Sequence, residues 1–292
     1  MTMAKTLRSR WSSRMVLLSS AGHDELPEIW CRCDGGPHRG RRSTAAFSVE
    51  VRYGGVHILA DPGTYCYCGP QAWRSYLRAV IPYRIVEAVG WNQAFNVGWN
   101  QPFDKGRFLR FRKAHAWDTG LIDQGDVASW AAEHDGYLWI DSPMRHRRSV
   151  LLDRASRIVD IIDQIAGDCR DFRSVFYFGP EIQVELGEFC AFLSWPGSVT
   201  PGAARLELPL GLSWDLHQRA ETDDVLGGAG KREPGFTLLG RGPCVAGVPL
   251  ATRLEFSDTE MLPDISFFQA ISWSASVDRG DESEDEDQAE AK

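Results

Sequence analysis

The sequence predicts an all-β protein, an antiparallel β-sandwich of stacked sheets followed by a disordered acidic tail. Three observations carry this. Short runs of alternating or β-branched apolar residues succeed one another along the chain, separated by Gly and Pro. The 292 residues include 28 glycines and 11 tryptophans, a composition that favours tight turns and aromatic surfaces over long helices. No Pro-, Ser- or Gly-rich linker divides the body, and an all-β domain of this length can be one unit.

Strand-like sequence begins near Met15. Residues 48–60, SVEVRYGGVHILA, put Val49, Val51 and Tyr53 on one face, turn at Gly54-Gly55 and continue from Val56 to Ala60, the pattern of a hairpin. RIVDIIDQIA carries Ile158, Ile161, Ile162 and Ile165 at helical spacing. The segment is short, β-branched and flanked by strand-like runs, so it is read as a strand. FRSVFYF (172–178), IQVELGEFCAFLSW (182–195), ARLELPLGLSWDL (204–216), FTLL (236–239), ATRLEF (251–256) and ISFFQAISWS (265–274) read likewise. The expected organisation is a disordered segment over 1–14, the sandwich over 15–275 and the acidic tail over 276–292.

The net charge of −8 is concentrated at one end. From Asp278 the tail DRGDESEDEDQAEAK holds eight acids and two bases, so −6 belongs to it and the body is near −2. Such a body has no bias toward nucleic acid, and the tail cannot bury enough apolar surface to fold. No apolar run is long enough to cross a bilayer. The apolar stretch Met15–Leu18 is too short for a signal peptide, so a cytoplasmic location is the default expectation. Seven cysteines include two Cys-x-Cys pairs, Cys31/Cys33 and Cys66/Cys68. Each pair shares one strand face and offers two thiols to a metal, but no histidine follows at ligand spacing, so small buried strand residues are the better reading.

The densest chemistry lies in LADPGTYCYCGPQAWRSYLRA, residues 59–79. Asp61 ends a hairpin strand before Pro62-Gly63, where a carboxylate ligates a metal, caps the turn or pairs with Arg74 or Arg78. The aromatics Tyr65, Tyr67, Trp73, Tyr76, Trp91 and Trp99, interleaved with Asn92, Gln93, Asn100 and Gln101, have the composition of a carbohydrate surface. Rings cover the apolar faces of sugars, while amides and guanidinium groups bond hydroxyls and carboxylates. Alternate aromatics also fill sandwich cores. The basic runs HRGRR (38–42) and RHRR (145–148) suit acidic sugars or phosphate, but solvated strand ends explain each run alone.

Taken in order, GGPH, FSVEVRYGGVHILADPGTYCY, WRSYLRA, GWNQAF, EHDGYLWIDSPMRHRRSVLLDR, IVDIIDQIAG, LHQRAETDDVLG and TLLGRG resemble the C-terminal β domain of the heparinase II/III family of polysaccharide lyases. The resemblance covers roughly residues 15–256. It implies a β-sandwich that accompanies a helical toroid domain, in the same chain or encoded separately. It also implies cleavage of acidic polysaccharides by β-elimination, in which a base removes the C5 proton of a uronate and an acid protonates the leaving oxygen. Finally, it implies a divalent metal, zinc or calcium, held by Asp61 and two histidine motifs.

This sequence departs from that pattern. Counted without gaps, the family's His-x-His positions fall on Arg41 and Ser43, with His38 the sole nearby histidine, and its His-Asn pair falls on Tyr83 and Arg84. A further family histidine is replaced by Tyr177. One carboxylate does not make a zinc site, so no bound cofactor is expected here. The chain is expected to be catalytically impaired, with Tyr83 and His38 as the remaining acid–base candidates and Tyr65, Tyr67, Trp73, Arg74, Arg78 and Trp91 as substrate-binding candidates. The alternative is a non-catalytic domain that binds acidic carbohydrate or docks on a helical partner.

Overall fold

The computed structural model describes residues 10–12, 15–34, 47–60, 87–88, 91–92, 95–98, 116–137, 144–167, 172–219, 235–243, 245 and 247–257. Every helix or strand among them is a β-strand. β1 (Arg10–Ser12), β2 (Met15–Ser19), β3 (Ile29–Asp34), β4 (Val49–Tyr53) and β5 (Val56–Leu59) form a sequential antiparallel sheet. Next come β6 (Glu87–Ala88) and the small pair β7 (Trp91–Asn92) and β8 (Phe95–Gly98). Then follow β9 (Ala116–Asp123), β10 (Val127–Tyr137), β11 (Met144–Asp153), β12 (Ile158–Gly167), β13 (Phe172–Tyr177), β14 (Gln183–Leu186), β15 (Cys190–Ser194), β16 (Ala203–Glu207), β17 (Ser213–Arg219), β18 (Gly235–Gly242) and β19 (Leu250–Ser257). An eight-stranded sheet has the order β14-β15-β16-β19-β12-β11-β10-β9, and a four-stranded sheet the order β17-β18-β13-β6.

One core joins these layers. Val16, Leu18, Val49, Val51 and Ile58 of the first sheet share it with Trp130, Val150, Leu152, Val159, Leu193 and Leu254 of the second, and with Phe176 and Leu238 of the third. Stacked sheets stabilise themselves this way, since each has one apolar face to remove from water. The predicted hairpin forms, with Gly54 and Gly55 at φ 53° and 90°. Residues with left-handed backbone at both turn positions match the twist of the flanking strands. β12 is a strand despite its isoleucine spacing: Ile161 and Ile165 are buried while Ile158 and Ile162 are only half-buried on the other face. Its full ladder of ten pairs with β11 outweighs the short helical pattern.

Several expectations need correction. ARLELPLGLSWDL is two strands in different sheets, because Pro209 has no N–H for a ladder and Gly211 turns the chain at φ 84°. IQVELGEFCAFLSW is a hairpin, β14 with β15, closed by the Gly187 N–H donating to the Cys190 carbonyl at 2.8 Å. β1 pairs with β2 from Arg10↔Leu17 to Ser12↔Met15, so ordered sheet extends into the segment assigned to disorder. RHRR is not a solvated strand end: Arg145 and Arg147 face outward, but His146 and Arg148 point into the core. Cys31 and Cys33 are buried core residues, and burial pushes the Cys31 thiol far up. ISFFQAISWS, Cys66/Cys68, HRGRR and the tail lie outside the described residues.

Two arginines pin one end of the sandwich. Arg154 donates through Nε to the Ser19 carbonyl at 2.7 Å and clasps Asp123 with both terminal nitrogens, each at 2.9 Å. Arg157, at φ 55°, donates to the Pro27 carbonyl at 2.8 Å and pairs with Asp24.

At the other junction, Gly179 lies against β5. A Cβ there would stand 2.1 Å from the His57 carbonyl oxygen. Gly179→Ala is therefore expected to lower stability by about 1–3 kcal/mol in denaturant unfolding, whereas Gly197→Ala, with open space around its Cβ, should leave the midpoint nearly unchanged. Equal midpoints for the two variants would contradict the close approach.

Candidate functional site

Asp61, Tyr65, Tyr67, Trp73, Arg74, Arg78, Tyr83, Arg84, His38, Arg41 and Ser43 lie outside the described residues, and Trp91 is described only as backbone at the start of β7. The structure does define the frame from which the Asp61 segment departs. The Ala60 N–H donates to the Tyr177 carbonyl at 2.9 Å, and Leu59 forms a bridge with Phe178. The end of β5 is thereby fixed to β13, at the border of the four-stranded sheet.

That sheet has two unlike faces. Phe176, Leu238, Trp214 and Leu216 pack on the common core, with Trp214 stacked on Phe176 at 5.8 Å and lying over Gly240. On the opposite face, Ala60, Val175, Tyr177 and Leu239 make a separate small apolar cluster. Register places Tyr177, Thr237 and His217 in one row across three strands, graded from buried to exposed. Arg173, Arg241 and Ser213 form a second row on this face, four residues along. Among the residues read as chemically distinctive, only Tyr177 belongs to this face and is described.

The most strongly coupled charges are elsewhere, inside the sandwich. Arg148 of β11 is in register with Asp163 of β12, and His146 of β11 with His134 of β10. Arg148 donates to both carboxylate oxygens of Asp163, through Nε and Nη2, each at 2.7 Å, and through Nη1 to the Phe47 carbonyl at 2.8 Å. His146 Nε2 lies 2.6 Å from Asp163 Oδ1, and His146 Nδ1 lies 3.1 Å from His134 Nε2. A carboxylate only accepts, so His146 Nε2 carries the proton. Its Nδ1 then accepts from His134 Nε2–H, and both rings are neutral. The Phe47 ring closes over the pair, 4.8 Å from His134 and 5.6 Å from His146.

Burial pushes His134 well below the ordinary histidine value, helped by His146 and Arg148. Burial also lowers His146, against the opposing pull of Asp163. For Asp163 burial acts upward, but Arg148 and His146 outweigh it and hold the carboxyl well below the usual range. Both histidines are 0% exposed, so no substrate reaches them; the cluster fastens Phe47, just before β4, to the second sheet. The parity of MRHRRSVLLD could have located it, since Met144, His146 and Arg148 share a face with Val150 and Leu152.

On the outside of the first sheet, buried Glu50 accepts from Arg52 at 2.9 Å and Arg32 at 3.3 Å, with His57 Nδ1 at 3.0 Å. The Arg52 guanidinium stacks 4.5 Å from the Trp30 ring. Two guanidinium groups thus share one carboxylate, which leaves the cluster with a net positive charge.

No group of three His, Cys, Asp or Glu side chains suited to a metal occurs among the described residues. At the positions implied for metal ligands the sequence supplies Asp61, Arg41, Ser43 and Tyr83.

The chain matches the family described as "Heparinase II/III-like, C-terminal" over residues 31–204. Among solved structures it is similar to heparan sulfate lyase HepC from Pedobacter heparinus, with a TM-score of 0.67 at 11% identity, covering 88% of this chain and 38% of that one. It is similar to a heparinase III gene product, with a TM-score of 0.67 at 13% identity, covering 89% and 37%. A further heparinase III structure gives a TM-score of 0.61 at 11% identity, covering 87% and 37%. At these identities the likeness shows the fold. The chain spans less than two-fifths of the length of these proteins. No curated protein sequence matches it.

The neutral histidine pair makes stability depend on pH. Histidines whose folded-state values lie below the unfolded ~6.5 leave the unfolded chain binding more protons at acid pH. Their contribution is present above about pH 6.5 and is lost as pH falls below it, by up to about 1.4 kcal/mol per pH unit for each histidine. His134→Gln, which keeps a donor toward His146, should flatten the urea-unfolding dependence between pH 7.5 and 5 by one proton. A wild-type midpoint that does not move across this range would contradict neutral buried rings.

Proposed function

Because the chain belongs to the heparinase II/III family, through its C-terminal region, we propose that it is the β-sheet part of an acidic-polysaccharide lyase system and cannot complete β-elimination alone. The family match over residues 31–204 carries the first half of this reading. The second half is supported by the sequence at the family's histidine motifs, where Arg41, Ser43, Tyr83 and Arg84 stand. Elimination needs a base for the C5 proton and an acid for the leaving oxygen. Arginine supplies neither at neutral pH, because its guanidinium does not give up a proton. The phenol of Tyr83 is one residual proton carrier in the sequence; His38 is another.

What remains suits binding rather than bond cleavage. The Tyr65–Trp73–Arg74–Arg78 run combines rings with guanidinium groups, and the Ala60–Tyr177 bond fixes the point from which that run leaves the sheet. In this reading the β domain supplies one wall of a glycan cleft, and a helical domain, in the same protein or a separate one, supplies the other. The non-catalytic alternative, a domain that binds acidic carbohydrate without any chemistry, shares this surface.

Incubation of the purified chain with heparin, heparan sulfate or alginate, followed by ultraviolet absorbance of the unsaturated uronate product, distinguishes these roles. The proposal expects no rise for the chain alone, together with salt-sensitive retention on immobilised heparan sulfate. A rise in absorbance that disappears in Tyr83→Phe would overturn it and assign that tyrosine the proton transfer.

A further inference from the structure

We propose that Arg173, Arg241 and Ser213 form an anion-binding site on the face of the four-stranded sheet turned away from the common core, at the end where Arg241 and Ser213 are exposed, taking a sulfate or carboxylate group of an acidic saccharide. The three residues are in cross-strand register, Ser213 of β17 with Arg241 of β18 and Arg241 with Arg173 of β13. Adjacent strands lie about 4.8 Å apart, so the two guanidinium groups rise from neighbouring positions on one face, with the Ser213 hydroxyl one strand farther along the row. Guanidinium groups bind carboxylate and sulfur or phosphorus oxyanions through paired N–H donors, a geometry a lone ammonium does not offer.

The charge pattern singles this row out. Elsewhere on the sheets the described buried and half-buried arginines have carboxylates: Arg148 has Asp163, Arg154 has Asp123, Arg157 has Asp24, Arg205 has Glu255, and Arg32 and Arg52 share Glu50. Arg173 and Arg241 face each other, and among the described residues neither has a hydrogen-bond or ion-pair partner. Like charges directly opposite one another on a sheet are destabilising, and an anion between them reverses the sign. Arg173 Nε is moreover buried without an acceptor, a desolvated donor that costs stability until something accepts from it.

The other described titratable side chains on this face are Asp215, two residues from Ser213 and opposite Leu239, exposed His217, and buried Tyr177. Glu87 of β6 is in backbone register with Arg173. Thr237, whose Oγ1 is also buried without a partner, and His217 lie four residues farther along, roughly 13 Å at strand rise. A chain ligand can therefore reach both rows where a single ion reaches one. The saccharide rests on the function proposed above; the anion site does not.

Calorimetric titration of the chain with sodium sulfate, a heparan sulfate hexasaccharide and a non-sulfated alginate hexasaccharide tests the inference. Arg241 is exposed and has no bond to lose among the described residues, so Arg241→Gln should fold normally, and it should bind the hexasaccharide about tenfold more weakly. Arg241→Lys, which keeps the charge and loses the fork, should fall between. Preference for heparan sulfate over alginate identifies sulfate as the recognised group, and equal binding identifies the carboxylate. Hexasaccharide affinity unchanged in Arg241→Gln would remove this site while leaving the proposed function standing. Sulfate binding abolished by Arg241→Gln, with no hexasaccharide bound by either protein, would support the anion site and contradict the glycan reading. Absence of binding by every probe would overturn the site.

Discussion

The Arg148–Asp163 ion pair is the constraint on which the arrangement of the sheets rests. A guanidinium and a carboxylate in the interior of a sandwich are tolerable only when nearly every donor and acceptor is used. Here Arg148 gives two bonds to Asp163 and one to the Phe47 carbonyl, and Asp163 takes a further bond from His146. The Phe47 bond is the one that crosses between layers. It joins the central strands of the eight-stranded sheet to the residue that leads into β4, and so sets where the first sheet sits on the second.

From that fixed point the rest of the frame follows in short steps. The β4–β5 hairpin leaves Phe47 at the core and ends at Ala60, bonded to Tyr177. Gly179 allows the chain after β13 to approach His57 closely enough to seal the junction. The four-stranded sheet then has one face in the common core and a second that grades from buried Tyr177 to exposed His217, and Ala60 ends the hairpin at its border. Chemistry and rigidity are separated: the histidines with the most altered proton affinity are sealed in as fasteners, while Arg241 and half-buried Arg173 have no partner among the described residues. The perturbed pKa values here mark burial, which is the structural cause of such shifts rather than the functional one.

Much of the fold was legible because strand alternation is a local signal. Val49, Val51 and Tyr53 alternate without interruption, and Gly-Gly fixes the turn. The strand assignment of β12 held because β-branching and length outweighed isoleucine spacing. The division of 204–216 between two sheets depended on Pro209 and Gly211, whose weight in a sequence is hard to distinguish from that of an ordinary bend. The buried charges were misread because a basic run suggests solvent, whereas parity across Met144, His146, Arg148, Val150 and Leu152 assigns half of it to the core. The Arg173–Arg241 row was not legible at all. Those residues are 68 positions apart, and only the β13–β18 register makes them neighbours. The landmark residues from Asp61 to Arg78 remain a sequence-based proposal, anchored at Ala60.

A double-mutant cycle on the central pair tests this account most directly. Arg148→Met and Asp163→Leu should each cost about 3–5 kcal/mol in equilibrium unfolding, since each leaves one charge buried without its partner. The double variant should cost far less than their sum, because both charges leave together and the layers keep an apolar contact. Costs that add to within about 0.5 kcal/mol would mean that the two residues act independently, and the pair would then not be what positions the sheets.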